Sequence, residues 1–150
     1  MPPTFRTPAL AADAQPGAVV VHCSDPRFQP HFQHFLGHGL ALGHYALIAL
    51  PGGAQLLTPN DLAPKFAWAC WRWTKFMVAR TRPARFILIA HEDCRWYIEN
   101  GVEADPARLR DRQLLDLRRV RAELAERFPG LPVELYYARL AGGSAEFEAL

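Results

Sequence analysis

The sequence predicts an α/β fold: one three-layer domain with a mostly parallel sheet of four strands plus an antiparallel edge strand. Three observations carry this expectation. Short apolar runs alternate with longer amphipathic segments, as strands alternate with crossover helices. The runs are rich in Val, Ile and Leu without polar alternation, as strands covered on both faces are. Proline and glycine fall between the runs rather than inside them, where they punctuate turns. A chain of 150 residues, half of them apolar, is long enough for one sizeable core.

Residues 1–17 are rich in Pro and Ala and lack periodicity, so they read as an extended N-terminal arm, with the domain over 18–150. Residues 18–23 form the first buried run, and Pro26 and Pro30 stop it. Pro30 suits the first turn of a helix, and Phe32, Phe35 and Leu36 follow at helical spacing. Gly37, Gly39 and Gly43 mark loops before a second buried strand, Tyr45 to Leu50, which ends at Pro51-Gly52-Gly53. Asp61 to Arg82 reads as a long helix with Phe66, Trp73, Phe76 and Met77 recurring along it. Pro83 ends that helix, and Phe86 to Ala90 is the third strand. Pro106 to Phe128 is an amphipathic helix whose stripe is Leu114, Leu117, Val120, Leu124 and Phe128. Pro129-Gly130 stops it, Val133 to Leu140 is the fourth strand, and Gly142-Gly143 turns the chain into a short antiparallel edge around Glu146-Phe147-Glu148.

Bulk composition excludes several function classes. With 17 basic and 15 acidic side chains the formal charge is only +2, too balanced for a nucleic-acid or anionic-membrane partner. The apolar runs are too short to span a bilayer. Three cysteines are an odd and sparse set for a disulfide framework, so reduced thiols in a cytoplasmic protein are expected. The first 17 residues show no apolar stretch of export-signal length.

Two short motifs at predicted strand ends carry the chemistry. The first run delivers Cys23-Ser24-Asp25-Pro26-Arg27, and the third delivers His91-Glu92-Asp93-Cys94. Ligands in parallel α/β sheets bind beyond the carboxyl ends of the strands, where Cys23, Gly52 and His91 all fall. Zinc favours thiolate and imidazole, and three protein ligands leave a position open for water. Cys23, His91 and Cys94 are therefore the expected metal ligands, with Zn2+ as cofactor. Two thiolates cancel the ion's charge and weaken it as an acid, so a nearby proton acceptor helps. Asp25 is placed for that role, and Arg27 can keep it ionised through its planar fork. Each motif alone also has a plain structural reading: a buried cysteine packs as a small hydrophobe, and Asp before Pro forms a turn.

Taken together, Cys23-x-Asp25-x-Arg27 and His91-x-x-Cys94 resemble the β-class carbonic anhydrases. The resemblance runs from about Gln15 to the end: Gln15-Pro16 before the first strand, a glycine turn after the second, and a final strand and hairpin over Tyr136 to Phe147. It implies a β-carbonic-anhydrase-like fold and zinc on Cys23, His91 and Cys94. It implies an Asp25–Arg27 dyad orienting zinc-bound hydroxide for reversible hydration of carbon dioxide to bicarbonate. It also implies a homodimer or higher homo-oligomer with the pocket near a subunit contact. In some family members the aspartate itself takes the fourth zinc position. Three features depart from the family pattern. Arg95 stands where the family has glycine, Pro51-Gly52-Gly53 replaces a more polar run, and the N-terminal arm is short and proline-rich. Gly52, Gly53 and Arg95 are thus the expected substrate-pocket residues. The departures leave two other outcomes open: hydrolysis of another small heterocumulene, such as carbonyl sulfide or carbon disulfide, or a silent zinc protein whose pocket Arg95 has closed.

Other features weigh less. His31, His34 and His38 share a helix face that offers a second metal or a proton relay, but reads first as a solvated or partly packed face. His22 precedes a ligand, and strand alternation turns it away from Cys23. Cys70, among Trp68, Trp71 and Trp73, reads as a packed thiol, with the tryptophans too widely spread to face one core. The arginines between Arg108 and Arg121 are interleaved with Asp105, Asp111, Asp116 and Glu123, the mixed pattern of a solvated helix face. Gly52-Gly53 can cradle an anion, yet glycines after a parallel strand are common without one.

Overall fold

A computed structural model describes residues 1–9, 15–59, 64–101 and 104–150. Among the described residues the helices and strands are, in order, β1 (Ala18–Cys23), α1 (Gln29–His34), β2 (Tyr45–Leu50), α2 (Pro64–Thr81), β3 (Arg85–His91), α3 (Arg95–Glu99), α4 (Pro106–Arg127), β4 (Val133–Ala141) and β5 (Ser144–Ala149). A π turn over Phe35–Gly39 continues α1, and a 3-10 turn over Gly53–Leu57 follows β2. Residues 1–9 carry neither helix nor strand and are exposed. No helix among the described residues is long and apolar enough to cross a membrane.

The sheet order is β2-β1-β3-β4-β5. The first three pairings are parallel, and β5 returns antiparallel to β4 with Ala141 opposite Ser144. This is the expected mixed sheet, with β1 and β3 at its centre. Strand alternation sorts their side chains into two cores. Val19, Val21, Phe86 and Leu88 face the layer made by α2, α4 and the 3-10 turn. Val20, Ile87 and Ile89 face Phe28, Phe32 and Leu36 around α1. Three layers result.

Local signals explain the helix ends. Pro30 lies in the first turn of α1. Asp105 caps α4 by accepting the Arg108 N–H at 3.0 Å, with Pro106 next in line. The α4 stripe packs as expected: Leu114, Leu117, Val120 and Leu124 are buried, and Phe128 packs partly against them.

Three expectations need correction, and α2 settles a direction that its spacing left open. β2 is an edge strand, not a strand buried on both faces: Ile48 is buried and Leu47 is exposed. Gly37 and Gly39 belong to the π turn rather than a loop. On α2 the aromatic positions point outward: Phe66, Trp68, Trp73 and Phe76 are exposed, while Cys70 and Thr74 are buried. Periodicity identifies a stripe but does not say which stripe faces the sheet, and here smaller residues take the contact. Finally, Asp116 is fully buried rather than part of a solvated face. The proposed helix start at Asp61, and residues 10–14 of the arm, lie outside the described residues.

Candidate metal centre

β1 ends on Cys23 and β3 ends on His91, and the two strands are parallel neighbours. Alternation gives Cys23 the α2/α4 face and His91 the α1 face, and the two meet across the carboxyl end of the sheet just where the strands stop. After His91 the chain turns through Glu92 and Asp93, the latter at φ 51°, and brings Cys94 back as the N-cap of α3. The ligand atoms of Cys23, His91 and Cys94 lie within 4.8 Å of one another. The two sulfurs are 3.9 Å apart and unbonded. All three residues are buried.

The donor set fits a zinc ion, and His91 gives the strongest reason. Its Nδ1 lies 2.8 Å from the Glu92 carbonyl. A carbonyl oxygen only accepts, so Nδ1 carries the proton and Nε2 presents a bare lone pair. Nε2 is buried with no hydrogen-bond partner. Leaving such an acceptor unmatched costs about 1–3 kcal/mol, and a metal ion removes that cost. The protein fixes the rest of the ring: Phe28 packs 4.3 Å from it between centroids, and the Gln113 side-chain amide donates to the His91 carbonyl at 2.9 Å. Both act as the outer supports that orient a metal-binding imidazole.

The two thiols differ. Cys23 is held low, chiefly by the hydrogen bond it shares with Cys94 and with help from the Gly52 N–H, against burial. Cys94 is pushed up, first by sharing the same proton with Cys23, then by burial. The backbone N–H groups of Tyr97 and Trp96 oppose that rise. The two sulfurs share a proton across 3.9 Å, and a dication would displace it. His22, by contrast, stacks on Phe32 at 4.3 Å on the α1 side, and its Nδ1 lies 2.8 Å from the Cys23 carbonyl. Burial lowers its pKa, so it stays neutral beside the centre. Cys70 lies in the other core, where burial raises its pKa and leaves an inert thiol.

Asp25 and Arg27 meet as the sequence suggests. The Arg27 N–H and Nε donate to Asp25 Oδ1 at 2.9 and 3.1 Å, and a terminal guanidinium nitrogen donates to Oδ2 at 2.7 Å. These bonds, with the Arg27 side chain foremost, hold the Asp25 carboxyl below its ordinary range. Arg27 also donates to the Asp93 carboxylate at 2.8 Å and to its carbonyl at 2.9 Å. Asp93 is a third member that the sequence reading missed. It stitches the β1 loop to the turn carrying Cys94.

A cleft of about 470 Å³ opens beside these groups, with Cys23, Asp25, Arg27, Pro51, Arg95 and Trp96 in its wall. Arg95 is exposed on that wall and leaves the cleft open. Gly52 and Gly53 stand behind the wall rather than in it. Gly52 (φ 76°) offers its N–H to the Cys23 sulfur, and a Cβ there would lie 2.3 Å from Trp96 Cδ1. Gly53 packs so close to β1 that a Cβ would lie 3.0 Å from the Cys23 nitrogen. Trp96 is locked in turn by donating its indole N–H to Gln55 at 2.6 Å. Gln55 and Trp96 are 41 positions apart in sequence, so no local signal links them. A larger hollow, about 570 Å³, lies between α2 and α4, but its wall contains no cysteine or histidine.

Solved structures share this arrangement of elements. One of two tetrameric β-carbonic anhydrases from Sordaria macrospora is similar over 91% of this chain and 81% of its own, at 16% identity and a TM-score of 0.57. β-Carbonic anhydrase isoform I from Trichomonas vaginalis is similar over 95% of this chain and 87% of its own, at 12% identity and a TM-score of 0.55. The β-carbonic anhydrase CafA of Aspergillus fumigatus covers 94% of this chain with 78% of its own, at 19% identity and a TM-score of 0.53.

This is the β-carbonic anhydrase fold.

No protein-family model and no curated protein matches the sequence. The chain is thus a divergent bearer of the β-carbonic anhydrase fold, with a zinc-capable Cys-His-Cys group where two central strands end.

Proposed function

We propose that this protein catalyses the reversible hydration of carbon dioxide to bicarbonate and a proton, with zinc held by Cys23, His91 and Cys94. The observation that carries the proposal is a cleft whose wall joins Cys23, the outermost of a buried sulfur-nitrogen-sulfur donor set, to an arginine-clamped carboxylate. When bound, zinc would supply a Lewis acid that lowers the pKa of water. The chain's own groups supply the rest. Asp25 is kept ionised by Arg27 and accepts a hydrogen bond from the attacking oxygen, fixing which lone pair faces the substrate. Arg27 acts through Asp25 and Asp93 as a positioning residue. Arg95, on the cleft wall, offers a positive charge to departing or arriving bicarbonate. Phe28 and Phe32 keep the far side of His91 dry.

The Pro51 and Trp96 wall favours a second reading, hydrolysis of a less polar heterocumulene such as carbonyl sulfide or carbon disulfide. The exposed position of Arg95 argues against a pocket it has closed. A homo-oligomer is part of the proposal. The similar Sordaria macrospora enzymes are tetrameric, and β2 leaves an apolar sheet edge beside the outward aromatics of α2. The three free thiols support a reducing compartment, the cytoplasm.

The test is stopped-flow carbon dioxide hydration on protein whose zinc is assayed in the same sample. One zinc per chain with turnover well above buffer is expected. One zinc without turnover rejects carbon dioxide as substrate, and a panel with carbonyl sulfide and carbon disulfide then tests the second reading. No zinc after chelator-free purification overturns the metal assignment.

A further inference from the structure

We infer that His34 and His38 form a second, independent metal site: a two-imidazole chelate for a first-row dication of the zinc, nickel or copper type. His34 closes α1 and His38 lies in the π turn that continues it. Residues four apart share a helix face, and the two rings stand 4.5 Å apart between centroids at 38°. They share the wall of a hollow of about 600 Å³ with His31, Gly39 and, from the β4–β5 hairpin, Ser144 and Phe147.

Three further observations point to a ligand. No Asp, Glu, Lys or Arg lines this hollow, and none of its imidazoles takes part in a hydrogen bond or ion pair among the described residues. Unpaired imidazole nitrogens are donors that zinc, nickel and copper favour and that magnesium and calcium do not. The backbone that carries them is also pinned. Leu40 N–H donates to the Phe35 carbonyl at 2.9 Å across the π turn, and the Phe35 ring stacks on Phe147 at 4.0 Å. A pinned pair loses little freedom on chelation, and π turns recur at functional sites. His31 does not converge with the pair as Cys23, His91 and Cys94 converge. The chelate is therefore bidentate, with its remaining positions open to water or an exogenous donor. Phe28 stands between His31, on the same helix as His34, and the thiol centre, lying 6.4 Å from the His31 ring and 4.3 Å from the His91 ring.

The probe is nickel, added to protein already carrying one zinc, with heat of binding, released zinc and ring-proton NMR spectra followed together. One saturable equivalent is expected without zinc release, with broadening of the His34 and His38 ring signals. His34→Gln and His38→Gln should each weaken it by on the order of tenfold or more, and His44→Gln should leave it unchanged. Both chelating rings are exposed, so the variants should keep their zinc and their circular dichroism. No saturable equivalent, uptake that releases zinc, or uptake that survives the His34→Gln/His38→Gln double variant would each overturn the inference. Uptake that releases zinc would place the nickel at the thiol centre instead, and the other outcomes leave that centre untouched.

Discussion

Gly52→Ala should be among the most damaging single-atom-group additions in this chain, although the residue touches no substrate. Gly52 sits at φ 76°, where an alanine costs about 1–2 kcal/mol. Its new methyl would stand 2.3 Å from Trp96 Cδ1, so the indole must move. Moving it breaks the 2.6 Å bond to Gln55 and strands a buried carbonyl acceptor. That second loss is about 1–3 kcal/mol, giving about 2–5 kcal/mol together. With a urea dependence of about 2 kcal/mol per molar, the unfolding midpoint should fall by about 1–2.5 M. The assay is equilibrium urea unfolding at fixed excess zinc, run in wild type and in a Trp96→Ala background. In the second background the collision is gone, and Gly52→Ala should cost only its backbone part, about 1–2 kcal/mol. Equal costs in both backgrounds would refute the Trp96 collision. A cost below about 0.5 kcal/mol in wild type would refute the left-handed strain as well.

Other consequences are equally open to measurement. Asp25→Asn should keep one zinc per chain and lose carbon dioxide hydration by on the order of 100-fold or more, by stopped flow; unchanged turnover would remove Asp25 from the reaction. Cys94→Ser should bring the zinc-to-chain ratio close to zero by elemental analysis, and full retention would mean that Cys94 is not a ligand. Because Arg27 holds the Asp25 carboxyl low, its contribution to stability is complete above the ordinary aspartate pKa and is lost as pH falls through the lower folded value. The carboxyl-carbon NMR shift of Asp25 should therefore titrate below the usual aspartate range and move up in Arg27→Gln; no movement would dismiss the clamp. Tyr97→Phe should destabilise by about 1–2 kcal/mol, since the Tyr97 hydroxyl donates to the fully buried Asp116 at 3.0 Å. A thermal-melt difference within error would show that Arg112 alone satisfies that carboxylate.

The strands and the Cys23-His91-Cys94 group were legible because their signals are local. A run such as Val19-Val20-Val21 has no alternative to a covered strand, and Cys23 and His91 follow such runs at once. Pro26, Pro83 and Pro129 announce where elements stop. What was not legible depends on pairs distant in sequence. Nothing near Asp93 says that Arg27, 66 positions away, will bridge it to Asp25. Gln113 looks like any polar residue on an amphipathic helix until α4 docks and presents its amide to the His91 carbonyl. Asp116 was misplaced for the same reason: the Tyr97 hydroxyl that meets it comes from α3, 19 positions away. The spacing of the α2 aromatics left their direction open, and the helix seats Cys70 and Thr74 against its neighbours while Phe66, Trp68, Trp73 and Phe76 face outward.

The placement of Cys23 and Cys94, 71 positions apart on neighbouring central segments, has a bearing on how the chain is assembled in time. In an unfolded chain His91 and Cys94 can already meet an ion together, but Cys23 can join them only after β1 and β3 are in register. With zinc held as proposed, full coordination would be a checkpoint on the central pairing. A chain whose sheet is misregistered by one residue would turn Cys23 to the opposite face and be left with a weak two-point grip that any cellular chelator can strip. A correctly zipped chain gains about 2.7 kcal/mol at a hundredfold excess of free ion over its dissociation constant. Metal supply during synthesis would then set the yield of folded protein, and not only its activity.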